Sequence, residues 1–498
     1  MSTQQVRIRL EPLSVEMEAP RHSSLASILS QHGVEFPCGG TDLCGGCRVR
    51  VLEGSLPVSE QDRSVFSEKE LAHGWRLACQ ARAEMALVLE CGQWHMDVLT
   101  DNAGLSGTGR SGLGIAIDLG TTTIAAQMID MATGSVLGVQ TGLNPQAIFG
   151  SDVMSRIGAA LSGSDLTTLV RLTLGQMLMK LAAGREEEIV EVVLVGNTVM
   201  HHLFAGLDVE PLSHAPFDSS HLEEQCLRPY ELGWPLPPSC HIRFLRCLGG
   251  FVGSDILAGI VAIGMPFADR LLALVDLGTN GEIAIGNRNG ILCASTAAGP
   301  AFEAGSIRMG MRAATGAISR VTLSQGEIYS TVIGGVEAKG ICGSGLVDAV
   351  AAGVESGAIL PSGRIANLIK LFPVHGSVVL YQTDIRELQL AKAAIASGFR
   401  LMMKRLGANT DDVQSLSVAG AFGNYVQIES AIRVGLLETP KGRIHAAGNT
   451  ALHGAKILLL SVDEPTLPHI DHMSLAAAPR FQDEFVQCMT FPERRVVD

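Results

Sequence analysis

The sequence predicts an α/β protein in two parts: a small β-rich module at the N-terminus and a much larger α/β domain behind it. Residues 6 to 17 alternate apolar and polar side chains around Glu11-Pro12, which is typical of a β-hairpin. Further along, short apolar runs such as GIAID, EVVLVG, LALVD and LSVAG alternate with longer amphipathic stretches. A chain of 498 residues is also too long for one ordinary core, so several domains are expected.

A change in composition places the boundary between the two parts. The stretch DNAGLSGTGRSG loses all periodicity and fills with Gly and Ser, as a flexible connector does. In one especially clear amphipathic stretch, Asp384 is the predicted N-cap of a helix. The predicted units are an N-terminal module at 1–93, a linker at 94–112, and an α/β domain at 113–498 with lobes at approximately 113–265 and 266–498.

Charge and hydropathy exclude several classes of function. The formal net charge is −13 with no stripe of Lys and Arg, which argues against a nucleic-acid or anionic-membrane surface. The N-terminus does not read as a signal peptide, and no run of about 18 apolar residues suits a membrane span. We therefore expect a cytoplasmic protein, in which the eleven cysteines are not expected to form a disulfide framework.

Four cysteines have a spacing that predicts an iron-sulfur centre. Cys38, Cys44 and Cys47 lie in PCGGTDLCGGC with the pattern C-x5-C-x2-C, and Cys79 follows after 31 residues. Plant-type 2Fe-2S proteins use a closely related pattern with a distant fourth cysteine. Glycines suit such a loop, because it needs positive φ angles and backbone amides close to sulfur. A zinc site is the alternative, although it would more naturally pair two C-x-x-C knuckles.

This module resembles the 2Fe-2S ferredoxin β-grasp domain, and its x5 spacing is closer to the adrenodoxin branch than to the plant branch. The resemblance implies that Cys38, Cys44, Cys47 and Cys79 are the four cluster ligands. It also implies one-electron transfer at low potential. A ferredoxin domain carries no substrate chemistry by itself.

The larger domain has no Walker A motif, so a nucleotide site must rest on other turns. In IAIDLGTTT an apolar strand ends at Asp118, and Gly120, Thr121 and Thr122 follow in a tight turn. The amides and hydroxyls of such a turn can bind phosphate oxygens. Asp118 is the candidate to hold Mg²⁺ through water.

Two further turns have the same character. The segment ALVDLGTNG repeats the first pattern weakly, which predicts two similar half-domains with turns that face each other across a cleft. Its Asp276 is the second candidate catalytic carboxylate. The remaining candidates for binding nucleotide are Gly278, Thr279, Asn280 and Gly281 in this second turn and Gly420, Ala421 and Gly423 in the third turn, SVAGAFGNYV. Together the three turns resemble the phosphate 1, phosphate 2 and adenosine motifs of the superfamily of actin, sugar kinases and heat-shock chaperones.

Several longer segments resemble one particular family within this superfamily. They are VGNTVMHHLFAGL, GGFVGSDILAGI, STAAGPAFEAGSIRMGMRA, KGICGSGLVDAVA, TDIRELQLAKAAI, AGAFGNYV and FVQCMTFP. These segments resemble the ATP-dependent reductive activators of corrinoid proteins, the RACo and RamA-like family, over essentially all of 113–498. The fused 2Fe-2S module is similar to the RACo branch. The connector is shorter here than in larger RACo-like members, so their mode of dimerisation is not carried over to this chain.

The resemblance implies an enzyme that hydrolyses ATP and passes one electron to Co(II) of a corrinoid methyltransferase protein, regenerating Co(I). The implied cofactors are a 2Fe-2S cluster, ATP and Mg²⁺. The implied partners are the corrinoid protein and an upstream reductase or ferredoxin, and a homodimer is one assembly to test. Two alternatives stay open: an ATP-driven electron donor of the hydroxyacyl-CoA dehydratase activase kind, and a small-molecule kinase or chaperone-like module with an accessory ferredoxin domain.

Overall fold

The predicted α/β architecture with an N-terminal β-rich module is confirmed in a computed structural model of the chain. Among the predicted site residues, Cys38, Cys44 and Thr279 lie outside the part of the chain that the structure describes. The described residues are 5–11, 15–32, 34, 47–91, 104–150, 152–278, 280–461 and 466–493.

The N-terminal module is a five-stranded mixed sheet covered by short helices. The predicted hairpin is confirmed, with Val6 opposite Ala19 in an antiparallel pair. Alternate residues of the first strand, Ile8 and Leu10 among them, are fully buried, which is the alternation that the sequence showed. The elements are β1 (Gln5–Glu11), β2 (Val15–Pro20), β3 (Ser23–Ser24), α1 (Leu25–Leu29), β4 (Arg48–Glu53), α2 (Glu60–Val65), α3 (Glu68–Ala72), β5 (Trp75–Leu77), β6 (Arg82–Ala83) and β7 (Leu87–Cys91). The sheet order is β2-β1-β7-β4-β5.

A six-stranded sheet forms what we call the first lobe. Its central strands are continuous apolar runs because helices cover both faces. The elements are β8 (Leu113–Leu119), β9 (Thr123–Asp130), β10 (Val136–Leu143), α4 (Val153–Leu161), α5 (Leu166–Ala182), β11 (Ile189–Gly196), α6 (Thr198–Ala205), β12 (Gln225–Leu227), α7 (Pro229–Leu232), β13 (His241–Phe244) and α8 (Ser254–Ala262). The sheet order is β10-β9-β8-β11-β13-β12.

A second six-stranded sheet forms the second lobe, with order β23-β22-β14-β15-β16-β24. The strands of this lobe are β14 (Leu271–Leu277), β15 (Gly281–Asn287), β16 (Gly290–Thr296), β17 (Ala317–Ser324), β18 (Glu327–Val332), β19 (Gly340–Ile341), β20 (Leu371–His375), β21 (Val378–Tyr381), β22 (Val413–Ala419), β23 (Ile444–Gly448) and β24 (Ile470–His472). Its helices are α9 (Gly343–Ser356), α10 (Gln382–Leu406), α11 (Gly420–Tyr425), α12 (Ile428–Arg433), α13 (Thr450–Leu460) and α14 (Phe481–Cys488).

The predicted start of the longest helix is wrong by a few residues. Helix α10 begins at Gln382, so Asp384 lies at its third position instead of the N-cap. Its carboxylate accepts the amide of Tyr381 at 2.8 Å and that of Arg308 at 3.0 Å. The carboxylate therefore reaches back to cap the helix from inside its first turn, as in a capping box. Among the described helices, none combines the length and apolarity needed to cross a membrane.

The two lobes exchange helices where they meet. Helix α13 follows β23 of the second lobe but packs on β8 and β11 of the first. Helix α8 follows the first lobe but packs on the core of the second. The two helices cross closely, because a side chain at Gly454 would place its Cβ 1.9 Å from the carbonyl oxygen of Ala258. Motion of one lobe against the other must therefore pass through this pair of helices.

Candidate functional site

The first predicted phosphate turn joins β8 to β9. The two strands form an antiparallel hairpin in which Leu119 faces Ile124. The turn is closed by the amide of Gly120, which donates to the carbonyl of Thr123 at 3.0 Å. Only glycine fits there, because a Cβ would lie 2.7 Å from that same carbonyl oxygen.

Two asparagines hold this turn in place. Asn144 donates from Nδ2 to the carbonyl of Gly120 at 2.9 Å, and its backbone amide donates to the carbonyl of Thr122 at 2.8 Å. Asn197, the N-cap of α6, donates from Nδ2 to Oγ1 of Thr121 at 2.8 Å. The turn is thus fixed by hydrogen bonds from two separate segments of the first lobe, as a pre-organised anion site requires.

The second predicted turn joins β14 to β15 in the other lobe. Here the amide of Gly278 donates to the carbonyl of Asn280 at 3.1 Å. The hairpin register places Asp276 directly opposite Glu282, and Leu277 opposite Gly281. Two carboxylates therefore face each other across neighbouring strands at the base of the turn.

The third turn lies beside the second. Strands β22 and β14 run parallel with Ala419 beside Asp276, so both strands end at the same edge. Gly420 follows with a φ of +84°, and a Cβ there would lie 2.6 Å from Oδ1 of Asp276. Gly423 packs against the preceding strand, since a Cβ there would lie 2.8 Å from Cγ1 of Val418. Ala421 lies between these two glycines in the same helix, α11.

Four carboxylates lie close enough for their charges to interact where the lobes face each other, and each remains partly accessible to solvent. Burial raises the pKa of Asp276 to about 7, and the charge of Asp118 adds to this. Burial and the charges of Asp276 and Asp118 raise the pKa of Asp255 to about 7. Burial and the charges of Asp255 and Asp276 likewise raise the pKa of Glu282. A bound cation would neutralise this concentration of negative charge.

One side chain connects the lobes at this point. Asn449, the N-cap of α13, donates from Nδ2 to Oδ2 of Asp118 at 2.8 Å while its Oδ1 accepts the amide of Leu452. Burial raises the pKa of Asp118 to about 6, and this donation works in the opposite direction. A residue that follows a second-lobe strand thereby orients a first-lobe carboxylate.

The oxygen donors of this cluster fit a hard divalent cation held through water. No three His, Cys, Asp or Glu side chains within the described ranges lie close enough to bind a metal directly. Mg²⁺ keeps several of its waters and commonly takes one or two carboxylates together with substrate phosphates. Asp118 and Asp276, one on each side of the cleft, suit that role.

Two of the four predicted cluster ligands can be placed. Strands β4 and β5 pair Arg48 with Leu77, which brings the residues just outside that pair together. The carbonyl of Cys47 accepts the amide of Ala78 at 2.9 Å, and Cys79 follows directly. Cys47 is buried and Cys79 half-buried. The backbones of two cysteine positions that are far apart in sequence are thus brought close together, as shared ligation of one cluster requires.

Comparison with known protein families finds matches along most of the chain. Residues 8–84 match the 2Fe-2S iron-sulfur cluster binding domain. Residues 113–267 match the RACo middle region, and residues 270–497 match the C-terminal domain of RACo, the ASKHA domain. The corrinoid activation enzyme RamQ of Eubacterium limosum is 34% identical over 423 residues, which cover 77% of this chain and 71% of RamQ. The chain belongs to the RACo family.

Other members of this group are consistent with that assignment. The Co(II) methylated-amine-specific corrinoid protein reductase of Methanosarcina barkeri is 25% identical over 421 residues, covering 75% of this chain and 76% of the reductase. The solved structure of a reductive activator for corrinoid, iron-sulfur protein superposes with a TM-score of 0.65 and 26% identity, covering 98% of both chains. The predicted two-lobed fold with an N-terminal ferredoxin domain is therefore confirmed.

Sequence reasoning missed several residues that complete the cleft. Glu282 could have been found from the hairpin, since it lies opposite the predicted Asp276. Asn197 and Asn449 carry a shared signal, because each is the centre of a Gly-Asn-Thr triplet that ends a strand and begins a helix. Asp255 and Asn144 have no comparable local signature; their places depend on how α8 and the segment after β10 pack.

Proposed function

We propose that this RACo-family protein is an ATP-dependent reductive activator that returns one electron to Co(II) of a corrinoid methyltransferase protein. The observation that carries the proposal is the fusion, in one chain, of a 2Fe-2S domain with the RACo middle and ASKHA domains. The relative RamQ is a corrinoid activation enzyme, which supports a corrinoid protein as the electron acceptor.

The cleft supports a role in binding and hydrolysing ATP. We assign the turn at Gly120, Thr121 and Thr122 to one set of phosphate oxygens. The second turn, at 278–281, lies on the facing lobe and is assigned to the other phosphate oxygens. The third turn, at Gly420, Ala421 and Gly423, is assigned to the adenosine of the nucleotide. Asp118 and Asp276 are the proposed catalytic carboxylates, which hold Mg²⁺ through water and orient the water that attacks the terminal phosphate.

Cys38, Cys44, Cys47 and Cys79 are the proposed ligands of the 2Fe-2S cluster, which supplies single electrons when bound. The chain's own contribution is to hold the backbone at Cys47 close to that at Ala78 and Cys79 through the pairing of β4 with β5. We place the reaction in the cytoplasm, where thiols stay reduced. A separate reductase or ferredoxin is the proposed upstream donor, and a homodimer is the proposed assembly.

ATP is needed because Co(I) forms at very low potential. An uphill gap of about 59 mV lowers the equilibrium constant tenfold for a one-electron couple. We propose that closing the lobes around nucleotide changes the cobalt coordination in the docked corrinoid protein and raises its acceptor potential. A redox titration that shows downhill transfer without nucleotide would contradict this role for ATP.

The test follows the cobalt spectrum of a Co(II) corrinoid protein mixed with the iron-reconstituted protein and a reductant too weak to act alone. We expect Co(I) to appear only with Mg²⁺ and ATP, and to be lost in Cys44→Ala. Cys226→Ala is the matched control, because Cys226 is exposed in β12, an edge strand of the first-lobe sheet, and is not one of the four proposed ligands. Hydrolysis of ATP with no change in cobalt would favour a different acceptor, as in the dehydratase activases, or a small-molecule kinase.

A further inference from the structure

The ferredoxin module, which comprises strands β1 to β7 and helices α1 to α3, contacts the first lobe through a short segment after β10. Leu143 and Ile148 pack against the hydrophobic core of the module. The turn at Ser30–His32 meets the turn at Pro145–Phe149 in the same place. The packing of Leu143 and Ile148 is apolar and partly buried, so it has no charge for salt to screen.

The same segment also contacts the first phosphate turn. Asn144, immediately after Leu143, makes the two hydrogen bonds to Gly120 and Thr122 described above. The buried Arg156 supports the end of this segment, because its Nε donates to the carbonyl of Gly150 at 3.3 Å. Residues 143–148 therefore contact the ferredoxin module on one side and the phosphate turn on the other.

The module also contacts the second lobe, through a charged bridge. The ammonium of Lys339, just before β19, pairs with both carboxylate oxygens of Glu70 in α3. Lys339 Nζ also lies 5.8 Å from the centroid of the Phe66 ring. Burial alone would raise the pKa of Glu70, but the donations from Lys339 and Ser67 outweigh it and lower that pKa. The bridge is half-buried, with 13% of Lys339 and 26% of Glu70 exposed.

These two contacts cannot both survive a large rotation of the lobes. The module is one packed body, and within the described residues its contacts at Leu143 and Ile148 and at Lys339 lie on opposite lobes. A rigid body attached to two parts that rotate relative to each other strains both attachments, and a rotation larger than the reach of a side chain breaks the weaker one. The partly exposed ion pair is the weaker of the two, because water and salt can replace it, whereas the apolar contact cannot be replaced in that way.

We propose that the ferredoxin module is docked across both lobes without nucleotide, and that closing the cleft around ATP opens the Glu70–Lys339 bridge while the Leu143–Ile148 contact holds. This inference rests on the proposed function, since it requires that ATP binds in the cleft. It goes further by assigning control of the module's position to one ion pair. Opening the bridge frees the second-lobe face of the module, beside Cys47 and Arg48, for a partner.

The test is hydrogen–deuterium exchange of the full-length, iron-reconstituted protein, read by mass spectrometry with and without Mg²⁺ and a non-hydrolysable ATP analogue. The analogue should slow exchange at 115–123 and 273–281. It should speed exchange several-fold at 60–77 and 336–342, while 143–149 stays protected. Lys339→Ala should give the same faster exchange at 60–77 without any nucleotide.

Three variants sharpen the result. Glu70→Gln keeps the capping box of α3, because Gln serves there as well as Glu, and removes only the charge of the bridge. Lys69→Ala is the matched control, since Lys69 is the exposed neighbour of Glu70. The double variant Glu70→Gln with Lys339→Ala should exchange no faster at 60–77 than Lys339→Ala alone, because the bridge is already lost in the single variant.

The outcomes separate this inference from the proposed function. Protection at 115–123 with no change at 60–77 and 336–342 overturns the inference and leaves the ATP site standing. Absence of protection at 115–123 overturns both. Unchanged exchange at 60–77 in Lys339→Ala shows that the bridge does not hold the module, and it also overturns the inference.

Discussion

The two proposed phosphate turns have similar sequences but different surroundings. The first-lobe turn receives side-chain amide donors from Asn144 and Asn197, and its Asp118 receives one from Asn449. The second-lobe Asp276 faces Glu282 across the hairpin instead. The pKa of Asp118 is raised to about 6, with Asn449 opposing the rise, whereas that of Asp276 is raised to about 7 by burial and by Asp118.

These different surroundings suit the two similar hairpins to different roles. The first turn is already fixed by hydrogen bonds, so it costs little reorganisation to bind phosphate there. The second side concentrates carboxylates whose repulsion a cation would relieve. We therefore expect substitutions at the second-lobe carboxylates to alter the rate of ATP hydrolysis and the number of protons exchanged on binding. Substitutions at the first-lobe turn should alter how the phosphates are positioned.

The largest effect is expected from Asp276→Asn. Loss of this carboxylate removes one anchor of the proposed cation and should lower ATP turnover roughly 10²- to 10³-fold, the range for losing one pre-organised electrostatic contact. Without metal at pH 8 the melting temperature should rise, because a repelled charge is gone. Asp411→Asn, an exposed position on the same lobe, is the control for both measurements. Normal turnover in Asp276→Asn would exclude it from the chemistry.

Gly420→Ala should have the next largest effect. Its φ of +84° is costly for Ala, by about 1–2 kcal/mol, and the new Cβ would lie 2.6 Å from Oδ1 of Asp276. We expect that loss in the free energy of unfolding and about tenfold weaker ATP binding, measured by urea titration and calorimetry. Gly442→Ala has open space around its Cβ and should change neither. Equal behaviour of the two variants would contradict the placement of the third turn.

Asn449 allows capping to be separated from the contact between the lobes. Asn449→Ser keeps an N-cap oxygen for α13 but loses the donor to Asp118, so stability should change by less than about 0.5 kcal/mol while ATP binding weakens. Asn449→Ala should lose the cap as well, at about 1 kcal/mol. If both variants bind ATP as tightly as the parent chain, the bond to Asp118 has no part in the site.

The smallest effect is the release of protons on binding. The pKa values of Asp118, Asp255 and Asp276 are raised to about 6 to 7, so these groups are partly protonated near pH 6.5 in the empty cleft. A cation favours their ionised forms, so Mg²⁺ with ATP should release roughly one proton at pH 6.5 and fewer at pH 8.5. Calorimetry in two buffers of different ionisation enthalpy measures this number. Proton uptake at pH 6.5 would contradict it.

The same groups set the pH dependence of stability. Because their folded-state pKa values are raised, the stability they contribute is present below about pH 4, the usual carboxyl pKa, and is lost as pH rises through 6 to 7. The empty protein should therefore melt at a lower temperature at pH 8 than at pH 5. Adding Mg²⁺ and ATP should raise the melting temperature more at pH 8. Scanning calorimetry at the two values checks both signs.

Local patterns predicted a large part of the fold. The period-2 alternation of β1 and β2 and the apolar runs of β8 and β14 each ended where the predicted turns begin. These features are readable because neighbouring residues in a strand or turn share one local geometry. The start of α10 was misplaced because Asp384 caps that helix from its third position, and the sequence alone does not separate the two possibilities.

The chain sequence thus specified the two hairpin turns, the cysteine spacing and the family, since each depends on residues close in sequence or on long matching segments. Tertiary structure was needed to bring Asn449 to Asp118, 331 positions away, and Lys339 to Glu70, 269 positions away. Both contacts depend on how whole lobes and the ferredoxin module pack against one another. Packing of that kind is set by the summed burial of many side chains, so no short pattern encodes it.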